Sequence, residues 1–394
     1  MKLAMMKADI DAAFEYVRDK LFSEKTYLIY DHVIKGREDE LPTVDEISAE
    51  FPDPCGYSTG MEDGMINGGT MLDACLIKYE LEDDADAADL ARKLVKGMLN
   101  CASSAKSEGF LPRAVSIEDG KTHYPDSSRD QYTMCAFGLH RYLTSSLCTA
   151  HEKEQIARVA EAIARRAERN VTSENGYDML TDNGRPTLVT TMWGDSLANH
   201  EYMRLPMLYI LAYESGGDSH WLEKYCEIRE KAYCGSLPMG EYWALYTLQQ
   251  MQASIRVCYD VETDEEWRRR YLFLMNEVAD YTEGIVDRVR GRMDSYDNYN
   301  APQPSFRTIP PKPSERFIQL GYENAVSTYR SDATEFFLLQ DCAQISIITK
   351  LAPQRDTSSS ALELLLDAFN KIDLTKHQRN LPLYFIDGYY RSML

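Results

Sequence analysis

The chain has 394 residues, of which 44% are hydrophobic and 27% are charged, a composition that suits a globular protein with a large core. Its formal net charge of −20 argues against a nucleic-acid partner. No apolar run approaches the roughly 20 residues that a membrane span needs, so a membrane protein is not expected.

Helix-like segments dominate the chain, and strand-like alternation is scarce. In chain order, helices are predicted at residues 10–22, 44–51, 71–77, 90–101, 134–143, 156–167, 205–213, 221–233, 242–257, 265–281, 330–351 and 359–372. Two kinds of helix alternate among them. Residues 90–101 and 156–167 carry one apolar stripe, whereas residues 71–77, 134–143 and 205–213 are apolar on nearly every face.

This alternation predicts the architecture. A helix that is apolar all round must be enclosed, and a helix with one apolar stripe lies outside it. Alternating outer and inner helices specify an all-α fold, an (α/α)6 toroid in which about twelve helices form six nested hairpins. Residues 1–394 would then be a single domain. A superhelical solenoid of helix pairs is the alternative, because the same alternation produces it.

Three aspartates mark a loose repeat. Asp63, Asp130 and Asp195 are 67 and 65 residues apart, and each lies near the start of a helix predicted to be enclosed. Because the inner helices of a toroid begin on the same side of the ring, these carboxylates are expected to meet at one cavity.

The segment from residue 123 to 132 concentrates acidic, basic and aromatic side chains. Ser127 is predicted to cap the helix that follows, and Asp130 stands where the carboxylate of a capping box belongs. Asp126 and Asp130 are four residues apart, so on one helix face they would differ in their affinity for a proton. A purely structural Asp130 that only caps the helix is the open alternative.

Hydrolysis of a glycosidic bond needs one carboxyl group that holds a proton near neutral pH and often a second that stays ionised. The candidate catalytic residues are Asp130, Asp63, Asp195 and Asp126. Aromatic rings stack on the C–H faces of sugars, and charged groups bind hydroxyls or a uronate. The candidate substrate-binding residues are Arg113, His123, Tyr124, Arg129, Tyr132, Trp193, His200, Tyr202 and Arg204. Packing, salt bridges and helix capping are the structural alternatives for these residues.

Several motifs and segments are missing from the sequence. It contains no G-x-x-x-x-G-K-[ST], no H-E-x-x-H and no G-x-S-x-G, so nucleotide-binding, zinc-protease and serine-hydrolase functions lose support. The nine cysteines show no paired C-x-x-C spacing, which indicates neither a zinc site nor a disulfide framework. The first nine residues hold no apolar leader, which predicts a cytoplasmic chain, or a periplasmic one if a leader has been removed.

Residues 109–113 (GFLPR) and 127–132 (SSRDQY) resemble the six-hairpin glycosidase superfamily. The likeness is to its bacterial, polysaccharide-degrading branches, including unsaturated glucuronyl hydrolases and related β-glucuronidases. The resemblance implies an (α/α)6 toroid, an oligosaccharide substrate, catalytic Asp or Glu, and no obligatory cofactor. It makes Asp130 the first candidate for the acid/base role, with Asp63 and Asp195 as second candidates.

Three functions are open at this point. The favoured one is a glycoside hydrolase acting on an oligosaccharide, with Arg113, Arg129 or Arg204 as partners for a uronic acid. The second is a polysaccharide lyase, in which Tyr or His removes the proton beside a uronate while Arg or His neutralises its carboxylate. The residues that would serve this chemistry are His123, Tyr124, His200, Tyr202 and Arg204. The third is a carbohydrate-binding toroid without catalytic activity.

Overall fold

The computed structural model describes residues 2–237, 239–240, 244–295, 305–327 and 334–394. Its helices are α1 (Lys2–Lys20), α2 (Val44–Ser48), α3 (Gly64–Glu82), α4 (Ala85–Ser104), α5 (Arg129–Leu143), α6 (Ala150–Asn170), α7 (Arg204–Gly216), α8 (Ser219–Gly235), α9 (Leu245–Val261), α10 (Glu265–Gly284), α11 (Val286–Asp294), α12 (Glu315–Gln319), α13 (Thr334–Leu351), α14 (Ser359–Lys371) and α15 (Leu381–Arg391). A small hairpin pairs β1 (Lys312–Pro313) with β2 (Val326–Ser327). The predicted all-α class is confirmed.

Six of these helices pack around a common centre. Helix α3 contacts α5, α5 contacts α7, α7 contacts α9, α9 contacts α13, α13 contacts α15, and α15 returns to contact α3. The contacts between successive inner helices therefore close a ring, as a toroid requires. A solenoid would leave its first and last helix pairs far apart, so the contact between α15 and α3 argues against that alternative.

Of the nine other described helices, six pack on the outside of the ring as the predicted outer helices. Helix α4 packs on α3, α6 and α8 pack on α7, α10 packs on α9 and α13, α14 packs on α13, and α1 packs on α15. Helix α6 buries one stripe that includes Ile156, Ala160 and Ile163, whereas nearly all of α5 is buried. The apolar pattern thus separates outer from inner helices, as the sequence predicted. None of the described helices is long and apolar enough to cross a membrane.

Buried ionic groups also join neighbouring helices of the ring. Asp73 of α3 is fully buried and pairs with Arg141 of α5 at 2.7 Å and with Arg391 of α15. His140 of α5 bonds through Nδ1 to Glu214 of α7 at 2.7 Å. Such pairs fix the register of four successive ring helices, α15, α3, α5 and α7, because breaking one leaves an uncompensated buried charge.

The first turn of α5 differs from the sequence prediction. Its cap is Ser128, which has extended backbone and whose hydroxyl accepts the N–H of Gln131 at 3.4 Å. Ser127 instead donates its hydroxyl to the carbonyl of Leu111 at 2.6 Å, so the predicted cap at Ser127 is wrong. The helix starts predicted at residues 242 and 330 lie outside the described residues.

The packing of α3 on α5 depends on two glycines. A Cβ atom at Gly69 would lie 2.1 Å from the carbonyl oxygen of Met134, and one at Gly138 would lie 2.9 Å from the Cα of Gly69. These distances are below van der Waals contact, so any larger residue would push the two helices apart. The same two helices carry Asp63 and Asp130 at their starts.

We expect Gly69→Ala to lower the free energy of unfolding by about 1–3 kcal/mol, because the methyl group overpacks the contact between α3 and α5. Urea unfolding followed by circular dichroism measures the change. The matched control is Gly291→Ala in α11, where a Cβ atom meets nothing within 4 Å. That variant should gain up to about 1 kcal/mol from helix propensity. Equal stability of the two variants would contradict the close approach.

Candidate functional site

The starts of the inner helices surround one cavity of about 200 Å³, here called the central cavity. It is lined by Asp63 and Ile66 at the start of α3, Asp130 at the start of α5, Tyr246 and Gln250 of α9, Phe337 and Gln340 of α13, Tyr384 of α15, and Asp31, Glu62, Arg379 and Asn380 from adjoining loops. Arg204, the first residue of α7, bonds to Asp130. Five of the six ring helices therefore direct their positive dipole ends towards the central cavity, and α7 begins beside it, at the arginine that pairs with Asp130.

Asp130 is the second residue of α5. Its carboxylate bonds to a side chain of the neighbouring helix α7 and not to the start of its own helix. Its carboxylate accepts a hydrogen bond from the guanidinium of Arg204, whose side chain is buried. Burial acts to raise the pKa of Asp130, but the charge and hydrogen bond of Arg204, aided by Arg129, outweigh it and lower the pKa below its ordinary value. Asp130 is therefore ionised at neutral pH.

The pKa of Asp63 is shifted in the opposite direction to that of Asp130. It occupies the N-cap position of α3 without making a capping hydrogen bond, and its Oδ1 accepts the side-chain amide of Gln131 at 3.1 Å. Burial, followed by the negative charges of Glu62 and Asp130, raises the pKa of Asp63 to about 7. The central cavity thus holds one carboxyl group that keeps a proton near neutral pH and another that does not.

Asp31 is a third carboxyl group at the central cavity. It is buried, and its Oδ2 accepts the backbone N–H groups of Glu62 at 2.8 Å and Asp63 at 3.1 Å, while Oδ1 accepts the side-chain amide of Asn67 at 2.8 Å. Burial, then the charges of Asp63 and Glu62, raise its pKa. These bonds fix the chain where it enters α3 and so orient Asp63.

Arg113 connects the entries to α3 and α5 from outside the central cavity. Its Nη1 donates to the carbonyl of Glu62 at 3.0 Å, and its Nη2 donates to the carbonyl of Ser127 at 3.1 Å. The guanidinium also lies over the ring of Tyr57, 5.0 Å from its centroid. Arg113 was predicted to bind substrate; the structure places it outside the lining of the central cavity, where it joins the loops that lead into the two helices.

The predicted residues next to α7 form a group around Arg204. Arg129 pairs with Glu201 and donates to the carbonyl of Thr191 at 2.9 Å. Burial, followed by the charges of Arg204 and Arg129, lowers the pKa of His200 to about 4, so this histidine is neutral. Among the described side chains that line the central cavity, neither Arg129 nor His200 is found.

Five predicted aromatic and histidine residues have structural contacts instead. Tyr124 donates its hydroxyl to the carbonyl of Phe51 at 2.6 Å, and the hydroxyl of Tyr132 accepts the N–H of Leu111 at 3.1 Å. His123 lies 3.2 Å from a carboxylate oxygen of Asp182. The rings of Trp193 and Tyr202 pack edge to face at 5.9 Å, and the Tyr202 hydroxyl donates to the carbonyl of Gly194 at 3.1 Å.

Two of the four predicted catalytic aspartates lie away from the central cavity. The Asp195 side chain is 91% exposed and pairs with Lys231 at 2.8 Å, so its expected meeting with Asp63 and Asp130 is wrong. The physical reason is that α7 starts at Arg204, and Asp195 lies in the loop before it.

Asp126 is fully buried ahead of α5, where it accepts the N–H groups of Ser127 at 2.7 Å and Leu188 at 3.1 Å. Because it precedes the helix, it does not share a helix face with Asp130, and that expectation is also wrong. Its bonds anchor the loop that leads into α5.

Sequence reasoning missed the part of the central cavity that comes from α9, α13, α15 and the loops that hold Asp31, Arg379 and Asn380. The missed residues are Asp31, Tyr246, Gln250, Phe337, Gln340, Arg379, Asn380 and Tyr384. One signal was available: Gln249, Gln250 and Gln252 stand within an apolar helix, where buried amides need partners. Asp31 carries no such signal, because it lies in a loop far along the chain from α3.

No protein-family model matches the chain, and no curated protein matches its sequence. One solved structure of similar shape is the crystal structure of a sugar epimerase from a ruminal bacterium. The TM-score is 0.49 and the sequence identity is 12%, over 94% of this chain and 86% of that one. At this score and identity the likeness assigns neither an activity nor a substrate to this chain.

We expect Arg204→Met to lower the free energy of unfolding at pH 7 by about 3 kcal/mol, because it leaves the Asp130 carboxylate without its buried partner. A lowered folded-state pKa stabilises the protein above the ordinary range of Asp and loses that effect as pH falls through the folded-state value. The loss should therefore shrink in acid. Urea unfolding from pH 7 to pH 3 measures it.

The matched control is the double variant Arg204→Met with Asp130→Asn, which should recover part of the lost stability. A destabilisation that is the same at every pH, or no recovery in the double variant, would show that Arg204 acts through packing alone.

Proposed function

We propose that this chain is a glycoside hydrolase of the six-hairpin type that cleaves an oligosaccharide in the central cavity. The observation that carries the proposal is the pair Asp63 and Asp130, two carboxyl groups at one cavity whose pKa values are shifted in opposite directions. In such a pair, the group with the raised pKa serves as the acid and the group with the lowered pKa stays ionised. Asp63 donates its proton to the glycosidic oxygen as the bond to the leaving sugar breaks, and Asp130 stabilises or activates the group that attacks the sugar carbon.

The size and lining of the central cavity support a sugar substrate. Its volume of about 200 Å³ is below the roughly 300–1,000 Å³ of pockets for drug-sized ligands, so it suits one small unit. Tyr246, Phe337 and Tyr384 contribute rings that pack on C–H faces. Gln250, Gln340 and Asn380 supply amides for hydroxyl groups.

The lyase alternative has less support from the described residues. A lyase needs a tyrosine or histidine that gives up its proton readily. The tyrosines of the central cavity hold their protons more firmly than usual. Burial raises the pKa of both Tyr246 and Tyr384; the charge of Asp130 raises that of Tyr246 further, and the charge of Asp63 does the same for Tyr384. Five residues were expected to serve this chemistry. His123, Tyr124 and Tyr202 have structural partners elsewhere, Arg204 pairs with Asp130, and His200 is not among the described lining of the central cavity.

We expect Asp63→Asn and Asp130→Asn each to lower turnover of a glycan substrate by at least about a hundredfold, the scale for losing a positioned acid or base. Asp195→Asn, which changes an exposed aspartate, should stay within about threefold of the unaltered protein. A screen of glycan fragments, with released sugars identified by mass, supplies the substrate. Full activity in Asp63→Asn would remove this residue from the mechanism, and new ultraviolet absorbance in the products would indicate a lyase.

The pH profile should reflect the raised pKa of Asp63. The proposed acid is active while protonated, so kcat/KM should fall as pH rises through about 7. Because its folded-state pKa is raised, Asp63 also stabilises the fold fully below the ordinary Asp range and loses that effect as pH rises to about 7. Initial rates from pH 4 to 9 measure the activity limb. A profile that stays flat between pH 6 and 9 would contradict the assignment.

A further inference from the structure

Two glutamine side chains of the central cavity have unsatisfied acceptor atoms. Gln250 of α9 is 4% exposed and Gln340 of α13 is 3% exposed, and both line the central cavity. The Oε1 atom of each is buried without a hydrogen-bond partner among the residues that the structure describes. A buried acceptor without a partner costs about 1–3 kcal/mol, so a pair of them at one cavity indicates groups reserved for a ligand.

The charges around the central cavity restrict what that ligand is. Four acidic residues line it, namely Asp31, Glu62, Asp63 and Asp130, and Arg379 is the sole basic residue among its described lining. The arginines expected to hold a uronate have other partners. Arg204 pairs with Asp130, Arg129 with Glu201, and Arg113 with loop carbonyls outside the central cavity.

An anionic ligand would be repelled: the Asp130 carboxylate stays ionised, and burial already raises the pKa values of Asp31, Glu62 and Asp63, so the surroundings of the central cavity disfavour a further negative charge. A ligand that brings neutral O–H donors satisfies both glutamine oxygens without that repulsion, since hydroxyl groups donate one hydrogen bond each. The carboxylate of Asp130 accepts further hydroxyl donors in the same way.

We propose that the central cavity binds one neutral sugar ring, with two of its hydroxyl groups donating to Gln250 Oε1 and Gln340 Oε1. The inference rests on the proposed function, because it names the substrate class of the same site. It makes Gln250 and Gln340 the residues that select the sugar, and it replaces the uronic acid expected from the sequence with an uncharged unit at this position.

Binding rather than turnover tests this inference. The probes are glucose, galactose and mannose, each beside its uronic acid and its 2-amino sugar, titrated into the full chain at pH 6 by isothermal calorimetry. We expect at least one neutral sugar to bind more tightly than its charged relatives. Gln250→Met and Gln340→Met should each weaken that binding by about tenfold, the effect of one lost hydrogen bond.

The matched control is Gln252→Met. Gln252 is buried on the same helix, donates to the carbonyls of Met275 and Ile348, and is not among the residues lining the central cavity. The Gln252→Met protein should be less stable but should keep its affinity for sugar. This result separates a structural role of a buried glutamine from a role in binding. A second check uses deoxy sugars: the analogue that lacks the bonded hydroxyl should bind the unaltered protein and the corresponding Met variant equally.

Tighter binding of a uronic acid or an amino sugar than of the neutral relative would overturn the inference, as would unchanged affinity in both Met variants or no binding by any probe. These results are distinct from failure of the proposed function. A neutral sugar that binds through both glutamines without any glycan being cleaved supports the inference and contradicts the hydrolase. Cleavage of a uronide, with tighter uronate binding, does the reverse.

Discussion

The ion pair between Asp130 and Arg204 is the interaction on which the chemistry of the central cavity depends. It joins the starts of α5 and α7, and it keeps a carboxylate charged in surroundings whose burial opposes charge. The retained charge acts in turn on Asp63, whose pKa it helps to raise. Without the pair, burial would act in the same direction on both carboxyl groups, and the difference between acid and ionised partner would shrink.

The ring of helices explains why such groups meet. Residues far apart in sequence come together because the inner helices begin on the same side, and each start adds a partial positive charge that a carboxylate can use. The surrounding loops then fix the geometry. Asp31 holds the chain entering α3 through two backbone N–H groups, and Arg113 ties that entry to the one before α5. Asp31, which lines the central cavity, and Arg113, which lies outside it, therefore orient the helix starts that carry Asp63 and Asp130.

The sequence was sufficient for the helix pattern and for part of the site. Enclosed and one-stripe helices differ in apolar periodicity, which is local, and Asp63 and Asp130 mark two of the inner helix starts. The choice of Asp195 failed because an equal spacing in sequence does not set where the next helix begins; α7 starts later, at Arg204. Asp31, Arg379 and Tyr384 were out of reach, because their proximity to Asp63 follows from closure of the ring and from no local pattern.

The proposed mechanism requires Asp63 and Asp130 to differ in protonation at neutral pH. Carboxyl ¹³C chemical shifts of labelled aspartate, assigned with Asp63→Asn and Asp130→Asn and followed from pH 3 to 9, measure both groups in the intact chain. We expect Asp63 to titrate near pH 7, whereas Asp130 stays ionised to below the ordinary pKa range of aspartate. Titration of both groups together near pH 4 would contradict it.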